Sequence, residues 1–161
     1  MKKINKKIKI VILITSILII ISQALTIYAV TNVKDESKSI IPNVLRLTYV
    51  ENTGGAFGIG GNGTIGFVIV SLIIIGIIIR FLVLQQDKLD LKTCLSLGFI
   101  LAGGISNLIE RIMRGFVVDY IDISELFKFP VFNLADMLIF IGWITLVIFI
   151  FIYWNKELNN K

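Results

Sequence analysis

The chain of 161 residues is strongly apolar, with 56% hydrophobic residues and a mean hydropathy of +0.89. This composition lies outside the range of soluble domains and indicates an integral membrane protein. A formal charge of +5 would fit a nucleic-acid-binding protein, but five lysines lie in the first nine residues, directly before an apolar run. We therefore expect membrane lipids as neighbours and no nucleic-acid partner.

The sequence also restricts the chemistry of any active site. It contains no histidine and a single cysteine, Cys94, which lies inside an apolar segment. Triads and metal sites that use histidine are thereby excluded, and a lone cysteine makes neither a disulfide framework nor a metal site. We expect no metal and no organic cofactor.

Four apolar runs are long enough to cross a bilayer as helices. They cover residues 10–30, 65–84, 95–113 and 135–154. Four spans place both termini on one side of the membrane, and the basic N-terminus marks that side as cytoplasmic. The predicted fold is an all-α integral membrane protein with four transmembrane helices and a small extracytoplasmic β platform, in which residues 1–161 form one domain.

The first run has an alternative interpretation. A basic start, an apolar stretch and small residues near Ala29 also describe a secretory signal peptide. Removal of that segment would leave three helices and would not affect the polar motifs farther along the chain.

The segments 31–64 and 114–134 lie outside in this topology and contain those polar motifs. Residues 44–50 have β-type side chains and are predicted to form a short strand. The run at 52–58, Asn-Thr-Gly-Gly-Ala-Phe-Gly, permits tight turns and the close approach of an extended peptide. An ordinary glycine-rich turn before the second helix is the simpler interpretation of that run.

A second strand is predicted over residues 116–123. Asp119 and Asp122 lie three positions apart, so their side chains point to opposite faces of this strand. Only one of them can face an active centre.

In the third apolar run, Gly103, Asn107 and Arg111 recur at a spacing of four and therefore share one helical face. Arg111 can pair with a carboxylate or bind a carbonyl group near the outer interface. An arginine that extends to the interface and pairs with its neighbour Glu110 is an equally good interpretation.

Two aspartates, Asp119 and Asp136, lie where apolar helices reach the outer edge of the membrane. Carboxylates at this depth are costly and usually functional. Asn133 is placed to cap the last helix, and capping alone would explain Asn133 and Asp136. It does not explain Asp119 at a comparable depth, so we interpret the two aspartates as a catalytic pair.

Two carboxylates about 4 Å apart repel each other by about 4 kcal/mol at an effective dielectric of 20. Such a pair holds one proton between its members at neutral pH, and its titration belongs to the pair. One member can then take a proton from water while the other polarises a scissile carbonyl.

The motifs together resemble a known family, the type II signal peptidases, also called prolipoprotein signal peptidases. Residues 52–58 are similar to the family's Asn-x-Gly-Ala-Ala-Phe block, and residues 103–111 to its Gly-Gly-x-x-Gly-Asn-x-x-Asp-Arg block. Residues 115–120 and 132–136 complete four blocks in the family's order.

The resemblance implies an intramembrane aspartic endopeptidase that removes signal peptides from bacterial prolipoproteins and cuts before a cysteine that carries diacylglycerol. It implies that Asp119 and Asp136 are the catalytic dyad. It further implies substrate-binding roles for a set of polar or small residues near the dyad, namely Asn52, Gly54, Asn107, Arg111 and Asn133.

The resemblance also implies a multi-pass protein of the bacterial plasma membrane, with both termini cytoplasmic and the active site at the extracytoplasmic face. The expected partners are lipidated prolipoproteins and membrane lipids, and a monomer is favoured.

The first helix departs from the family pattern. Residues 22–26 read Ser-Gln-Ala-Leu-Thr where the family has Asp-Gln-x-x-Lys, so two charges are missing. Ser106 in place of glycine and Glu110 in place of aspartate are milder changes. An inactive or altered-substrate relative that acts as a binding protein is one alternative, and a small proton-coupled carrier is another. A carrier predicts polar groups through the middle of the bilayer.

Overall fold

The computed structural model describes residues 3–54 and 64–159. These residues form four helices and three strands, in the order α1 (Lys6–Asn32), β1 (Lys38–Ile41), β2 (Leu45–Asn52), α2 (Thr64–Gln85), α3 (Leu91–Arg114), β3 (Val117–Asp122) and α4 (Leu134–Asn159). Each helix is long and apolar enough to cross a membrane. The predicted fold class, four spanning helices with a small sheet, is confirmed.

The helices extend beyond the apolar runs because polar residues cap their ends. The Asn5 side chain accepts a hydrogen bond from the backbone N–H of Ile8 at 3.1 Å, and the Asp90 side chain accepts one from that of Thr93 at 2.8 Å. α3 ends at Gly115, whose φ of 83° is a left-handed conformation that glycine adopts freely. Hydropathy locates these helices, whereas capping sets their bounds.

α3 is the central helix of the bundle. In its most apolar window 61% of the residues are buried, against 6% for α2. A Cβ on Gly98 would lie 2.9 Å from Val11 Cγ1 of α1, and one on Gly142 of α4 would lie 2.8 Å from the Ser96 carbonyl oxygen. Small residues thus bring α1 and α4 close to α3, while α2 presents most of its surface to lipid.

The N-terminus and the turn between α2 and α3 lie at the same end of the bundle. The backbone N–H of Asn5 donates to Gln86 Oε1 at 2.8 Å, and the Lys7 ammonium donates to the Leu89 carbonyl. The basic first residues and Lys88 therefore share one end, and the sheet lies at the other end, where α1 finishes.

The three strands form an antiparallel sheet in the order β1-β2-β3. The predicted strands correspond to β2 and β3, whereas β1 was not predicted. All four residues of β1 are exposed, so its sequence has no alternation of apolar and polar residues that would predict a strand. Pairing with β2 defines it. Val50 pairs with Asp119 and Asn52 with Val117, which places the end of β2 beside the first half of β3.

One face of the sheet rests on the end of α1. Leu47 and Tyr49 of β2 pack against a buried cluster of Ala29, Val118 and Tyr120. This contact fixes the sheet, and the side chains that it carries, relative to the helices.

The close approach of α3 and α4 predicts a contrast between two adjacent glycines. A Cβ on Gly103 would meet the Ala135 carbonyl and would lie 2.7 Å from Ile139 Cγ1, whereas one on Gly104 meets nothing closer than 3.8 Å. We expect Gly103→Ala to destabilise the fold by about 1–3 kcal/mol. Gly104→Ala should be neutral or slightly stabilising because alanine favours the helix. Thermal unfolding of both variants in detergent measures this difference, and equal midpoints would contradict it.

Candidate active site

Asp119 is buried in the middle of β3, with 3% of its surface exposed. Both of its carboxyl oxygens accept hydrogen bonds from side-chain amides. Asn133 Nδ2 donates to Oδ1 at 2.8 Å, and Asn52 Nδ2 donates to Oδ2 at 2.9 Å. Strand pairing brings Asn52 to this position, since the end of β2 lies beside β3.

Asp136 lies in the first turn of α4, where the positive end of the helix dipole favours a carboxylate. Its Oδ1 accepts from Asn107 Nδ2 at 2.8 Å, and its Oδ2 accepts from the backbone N–H of Asn133 at 3.2 Å. In return, the Asp136 N–H donates to Asn133 Oδ1 at 3.0 Å. This reciprocal cap is the capping role predicted for Asn133.

Asn133 connects the two aspartates. Its Oδ1 caps the helix that carries Asp136, while its Nδ2 donates to Asp119 and, at 3.2 Å, to Asn107 Oδ1. A third contact runs from Nδ2 to the Val118 carbonyl at 3.4 Å. One side chain therefore joins α3, β3 and α4 and contacts both aspartates.

The site raises the pKa of Asp119 from 3.8 to about 7. Burial is the largest cause, and the negative charge of Asp136 is the second. Hydrogen bonds from Asn52 and Asn133 and the positive charge of Arg111 oppose the rise. Asp119 is therefore partly protonated at neutral pH, and it responds electrostatically to Asp136, as expected for a carboxylate pair.

Arg111 holds the end of β2 against α3. Its Nη2 donates to the Gly54 carbonyl at 3.0 Å, and its guanidinium lies 5.2 Å from the centre of the Phe67 ring on α2. Gly54 N–H in turn donates to Asn52 Oδ1 at 3.0 Å. The chain from Arg111 through Gly54 to Asn52 orients the amide that binds Asp119.

The alternative pairing of Arg111 with Glu110 is wrong. Glu110 Oε2 lies 3.0 Å from Nε of Arg114, one turn farther along α3. Adjacent helical positions point about 100° apart, so Glu110 and Arg111 face different neighbours.

Asp122 occupies the opposite face of β3, as its spacing from Asp119 predicts. It accepts hydrogen bonds from the Ser124 N–H at 2.9 Å and from Thr48 Oγ1 at 3.2 Å. These bonds, the one from Ser124 above all, lower the pKa of Asp122. This carboxylate is ionised and lies outside the candidate site.

A cavity of about 650 Å³ adjoins the two aspartates. Its polar end is formed by Asp119, Asp136, Asn52, Asn107 and Arg111. The rest of its wall is apolar and consists of side chains from α4, from the start of β3 and from the segment between them, namely Val117, Ile123, Phe129, Pro130, Val131, Phe132, Met137, Ile139, Phe140 and Trp143. A mostly apolar cavity with polar groups at one end suits a ligand that has both an apolar and a polar part.

Sequence reasoning missed the apolar wall of this cavity. Ile139, Phe140 and Trp143 follow Asp136 by three, four and seven positions, so they lie on the same face of α4. That spacing could have predicted an apolar surface next to Asp136. In a lipid-facing helix, however, apolar residues are equally expected on every face.

The structure brings together all seven residues that were assigned to the site, listed as Asn52, Gly54, Asn107, Arg111, Asp119, Asn133 and Asp136. The rest of the glycine-rich run, residues 55–58, lies outside the described residues. At the altered positions of the first helix, Ser22 and Thr26 are both buried, with 2% and 3% exposure.

The polar residues of the site cluster at the sheet end of the bundle rather than along its length, which disfavours the carrier interpretation. The fold is that of a membrane enzyme. A solved structure of a bacterial membrane enzyme is similar to this chain with a TM-score of 0.82 and 31% identity, covering 96% of this chain and 92% of that one. A second such structure has a TM-score of 0.80, also at 31% identity, with 93% and 97% of the two chains covered.

The family follows from sequence comparison. The family model described as signal peptidase (SPase) II matches residues 14–152. A lipoprotein signal peptidase of Clostridioides difficile is 37% identical over 147 residues, which cover 91% of this chain and 97% of that protein. One from Halothermothrix orenii is 34% identical over 148 residues, with the same two shares. The chain belongs to the signal peptidase II family, whose members are peptidases, and is a multi-pass bacterial membrane protein.

The raised pKa of Asp119 predicts how stability depends on pH. Between pH 3.8 and about 7 the unfolded chain loses a proton that the folded chain keeps, so the free energy of unfolding falls as pH rises. Over the whole window the loss is about 4 kcal/mol. We expect the unfolding midpoint of the unmodified protein to fall across this window and that of Asp119→Asn to fall much less.

Asp122→Asn is the matched control, because the pKa of Asp122 is lowered whereas that of Asp119 is raised. Its ionised carboxylate stabilises the fold above the unfolded pKa, and this stabilisation is lost as pH falls. Asp122→Asn should therefore lower the midpoint at pH 7 and keep the pH dependence that Asp119 causes. If the unfolding midpoints of Asp119→Asn and of the unmodified protein changed with pH in parallel, Asp119 would not be the group with the raised pKa.

Proposed function

We propose that this protein is an aspartic endopeptidase in which Asp119 and Asp136 form the catalytic dyad. The observation that carries the proposal is the bridge through Asn133, which binds one aspartate with its amide and caps the helix of the other. Both carboxylates border the same cavity.

The dyad works with one proton between its two carboxyl groups. The ionised member takes a proton from a water molecule as the water oxygen attacks the scissile carbonyl carbon. The protonated member donates a hydrogen bond to the carbonyl oxygen, where negative charge develops. In collapse of the tetrahedral intermediate the C–N bond breaks, the amine nitrogen takes up a proton from the dyad, and the carboxylic acid product is released.

The polar residues around the dyad hold the substrate backbone in an extended form. Asn52 and Asn107 each bind an aspartate and border the cavity, so their amides can also meet a peptide group. Asn133 fixes the separation of the two carboxylates. Arg111 holds Gly54, whose N–H donates to the Asn52 side chain that binds Asp119.

The substrate is a lipoprotein precursor, cut before a cysteine that carries diacylglycerol. Two properties of the chain support this choice. The Clostridioides difficile and Halothermothrix orenii relatives are lipoprotein signal peptidases. The cavity continues from the dyad along the apolar face of α4 with Ile139, Phe140 and Trp143, where acyl chains can lie among apolar side chains.

The active site faces the extracytoplasmic side, and both termini face the cytoplasm. The lysine-rich N-terminus and Lys88 lie at the end of the bundle opposite the sheet, and basic residues favour the cytoplasmic side. Residues 1–161 act as one membrane-embedded unit. We propose that the working form is a monomer, because every residue of the proposed site comes from one chain.

The first test is cleavage of a diacylglyceryl-modified lipoprotein precursor by purified protein in lipid. We expect Asp119→Asn and Asp136→Asn each to lower kcat by at least a thousandfold, because no second carboxyl remains to share the proton. Asp122→Asn, a carboxylate on the other face of the same strand, should keep the activity of the unmodified protein. Liberated signal peptide is measured by mass spectrometry.

Two further arms separate the parts of this proposal. The same precursor without the lipid should be cut poorly, since the apolar cavity then stays empty. Full cleavage by either aspartate variant would refute the dyad. Failure of the unmodified protein under conditions in which the Clostridioides difficile relative is active would favour the inactive or altered-substrate alternative.

Asn133 predicts a separation of stability from activity. Asn133→Ala removes both the helix cap and the bridge to Asp119, and should cost about 1 kcal/mol or more of stability together with most of the activity. Asn133→Ser restores a good cap but reaches neither Asp119 nor Asn107. We expect its unfolding midpoint to lie near that of the unmodified protein while kcat stays low. Recovery of kcat by serine would mean that capping is the whole role of Asn133.

A further inference from the structure

Glu110 is a buried carboxylate that the proposed mechanism does not use. Its side chain is 4% exposed, and its only ion-pair partner in the described part of the chain is Arg114, at 3.0 Å on the same helix. Apart from this contact with each other, Glu110 Oε2 and Arg114 Nε have no polar partner within residues 3–54 and 64–159. The nearby Ser106 Oγ is also buried without a partner there.

The register of α1 against α3 shows which residues of α1 lie level with Glu110. Thr15 Oγ1 donates to the Gly98 carbonyl at 3.2 Å, and Gln23 Nε2 donates to the Ser106 carbonyl at 3.2 Å. Both contacts join residues 83 positions apart. Two parallel helices with this constant offset place Thr26 level with Glu110 to within one residue.

The buried stripe of α1 that faces α3 carries no charge at this level. Thr26 is 3% exposed and Ser22, one turn earlier, is 2% exposed. These are the two positions at which the sequence departs from the family pattern of aspartate and lysine. Position 26 lies level with Glu110 but carries no cation, and in this chain the cation comes from Arg114 of α3 itself.

Glu110 lies close enough to the sheet for its charge to act on Tyr120 of β3. Burial raises the pKa of Tyr120, and the charges of Asp136, Asp119 and Glu110 add to the rise. On α3, Glu110 follows Asn107 by three positions and directly precedes Arg111. A displacement of this turn would therefore move the amide that binds Asp136 and the guanidinium that binds Gly54.

We propose that Arg114 neutralises Glu110 in place of a cation on α1, and that this ion pair positions the last two turns of α3 for catalysis. Glu110 and Arg114 are positioning residues, since they act through Asn107 and Arg111. The proposal rests on the proposed peptidase function for its kinetic test.

The test is a set of four variants assayed for kcat and KM on the lipidated precursor and for thermal unfolding. Arg114→Gln leaves a buried carboxylate without its counter-charge, and we expect a fall in kcat of about tenfold or more with little change in KM. Glu110→Gln/Arg114→Gln removes both charges, and Thr26→Lys/Arg114→Gln supplies the cation from α1. Both double variants should recover most of the lost kcat. Arg80→Gln, at an exposed position of α2, is the control and should match the unmodified protein.

The outcomes divide clearly. A kcat for Arg114→Gln equal to that of the unmodified protein overturns the proposal. So does a loss that neither double variant restores, because Arg114 would then not act by neutralising Glu110. Arg114→Gln could also lower the unfolding midpoint while kcat, assayed well below that midpoint, stays normal. The ion pair would then only stabilise the fold, which contradicts a positioning role in catalysis. If the unmodified protein does not cleave the precursor, the proposed peptidase function fails. Thermal unfolding then still tests the ion pair, because an unfolding midpoint of Arg114→Gln no lower than those of the double variants would show that Arg114 does not neutralise Glu110.

Discussion

The amide of Asn133 is the constraint on which the site depends. It caps α4 with its oxygen and binds Asp119 and Asn107 with its nitrogen, so a helix, a strand and a second helix meet at one side chain. Two carboxylates at one cavity would otherwise move apart to relieve their repulsion. Hydrogen bonds from Asn52 and Asn107 complete the arrangement, and the glycine contacts of α3 and α4 let the backbones approach closely enough to form it.

The sequence was sufficient to predict the four spanning helices, because twenty consecutive apolar residues have few other stable solutions in a chain of this composition. It also predicted β2 and β3. The exposed strand β1 could not be predicted, since its four residues bury no face and gain their structure from pairing with β2. The starts of α1 and α3 lie four residues before the predicted ones, because the caps at Asn5 and Asp90 lie outside the apolar runs.

The seven site residues were predictable because each is a polar or small residue at a position where lipid-facing sequence would be apolar. Their partners were less predictable. Arg111 binds Gly54, a contact that depends on how α3 packs against the end of β2 and that the sequence does not show. Glu110 binds Arg114, one turn farther along the same helix, so its pairing follows from helix geometry rather than from sequence adjacency. The apolar wall of the cavity was missed for a related reason, since composition cannot separate an acyl-binding face from a lipid-facing one.

The sparse packing of α2 has a consequence for the membrane itself. Its 22 residues span about 33 Å, close to the hydrocarbon thickness of a bilayer of about 30 Å. With 6% of its apolar window buried, this helix faces lipid over most of its surface, so a mismatch with the bilayer can change its tilt. Phe67 of α2 lies beneath the guanidinium of Arg111, so a thinner or thicker bilayer changes the support of that arginine. Bilayer thickness thereby becomes a physical variable of the enzyme, and measurements in detergent and in membranes of different chain length are expected to differ for this reason.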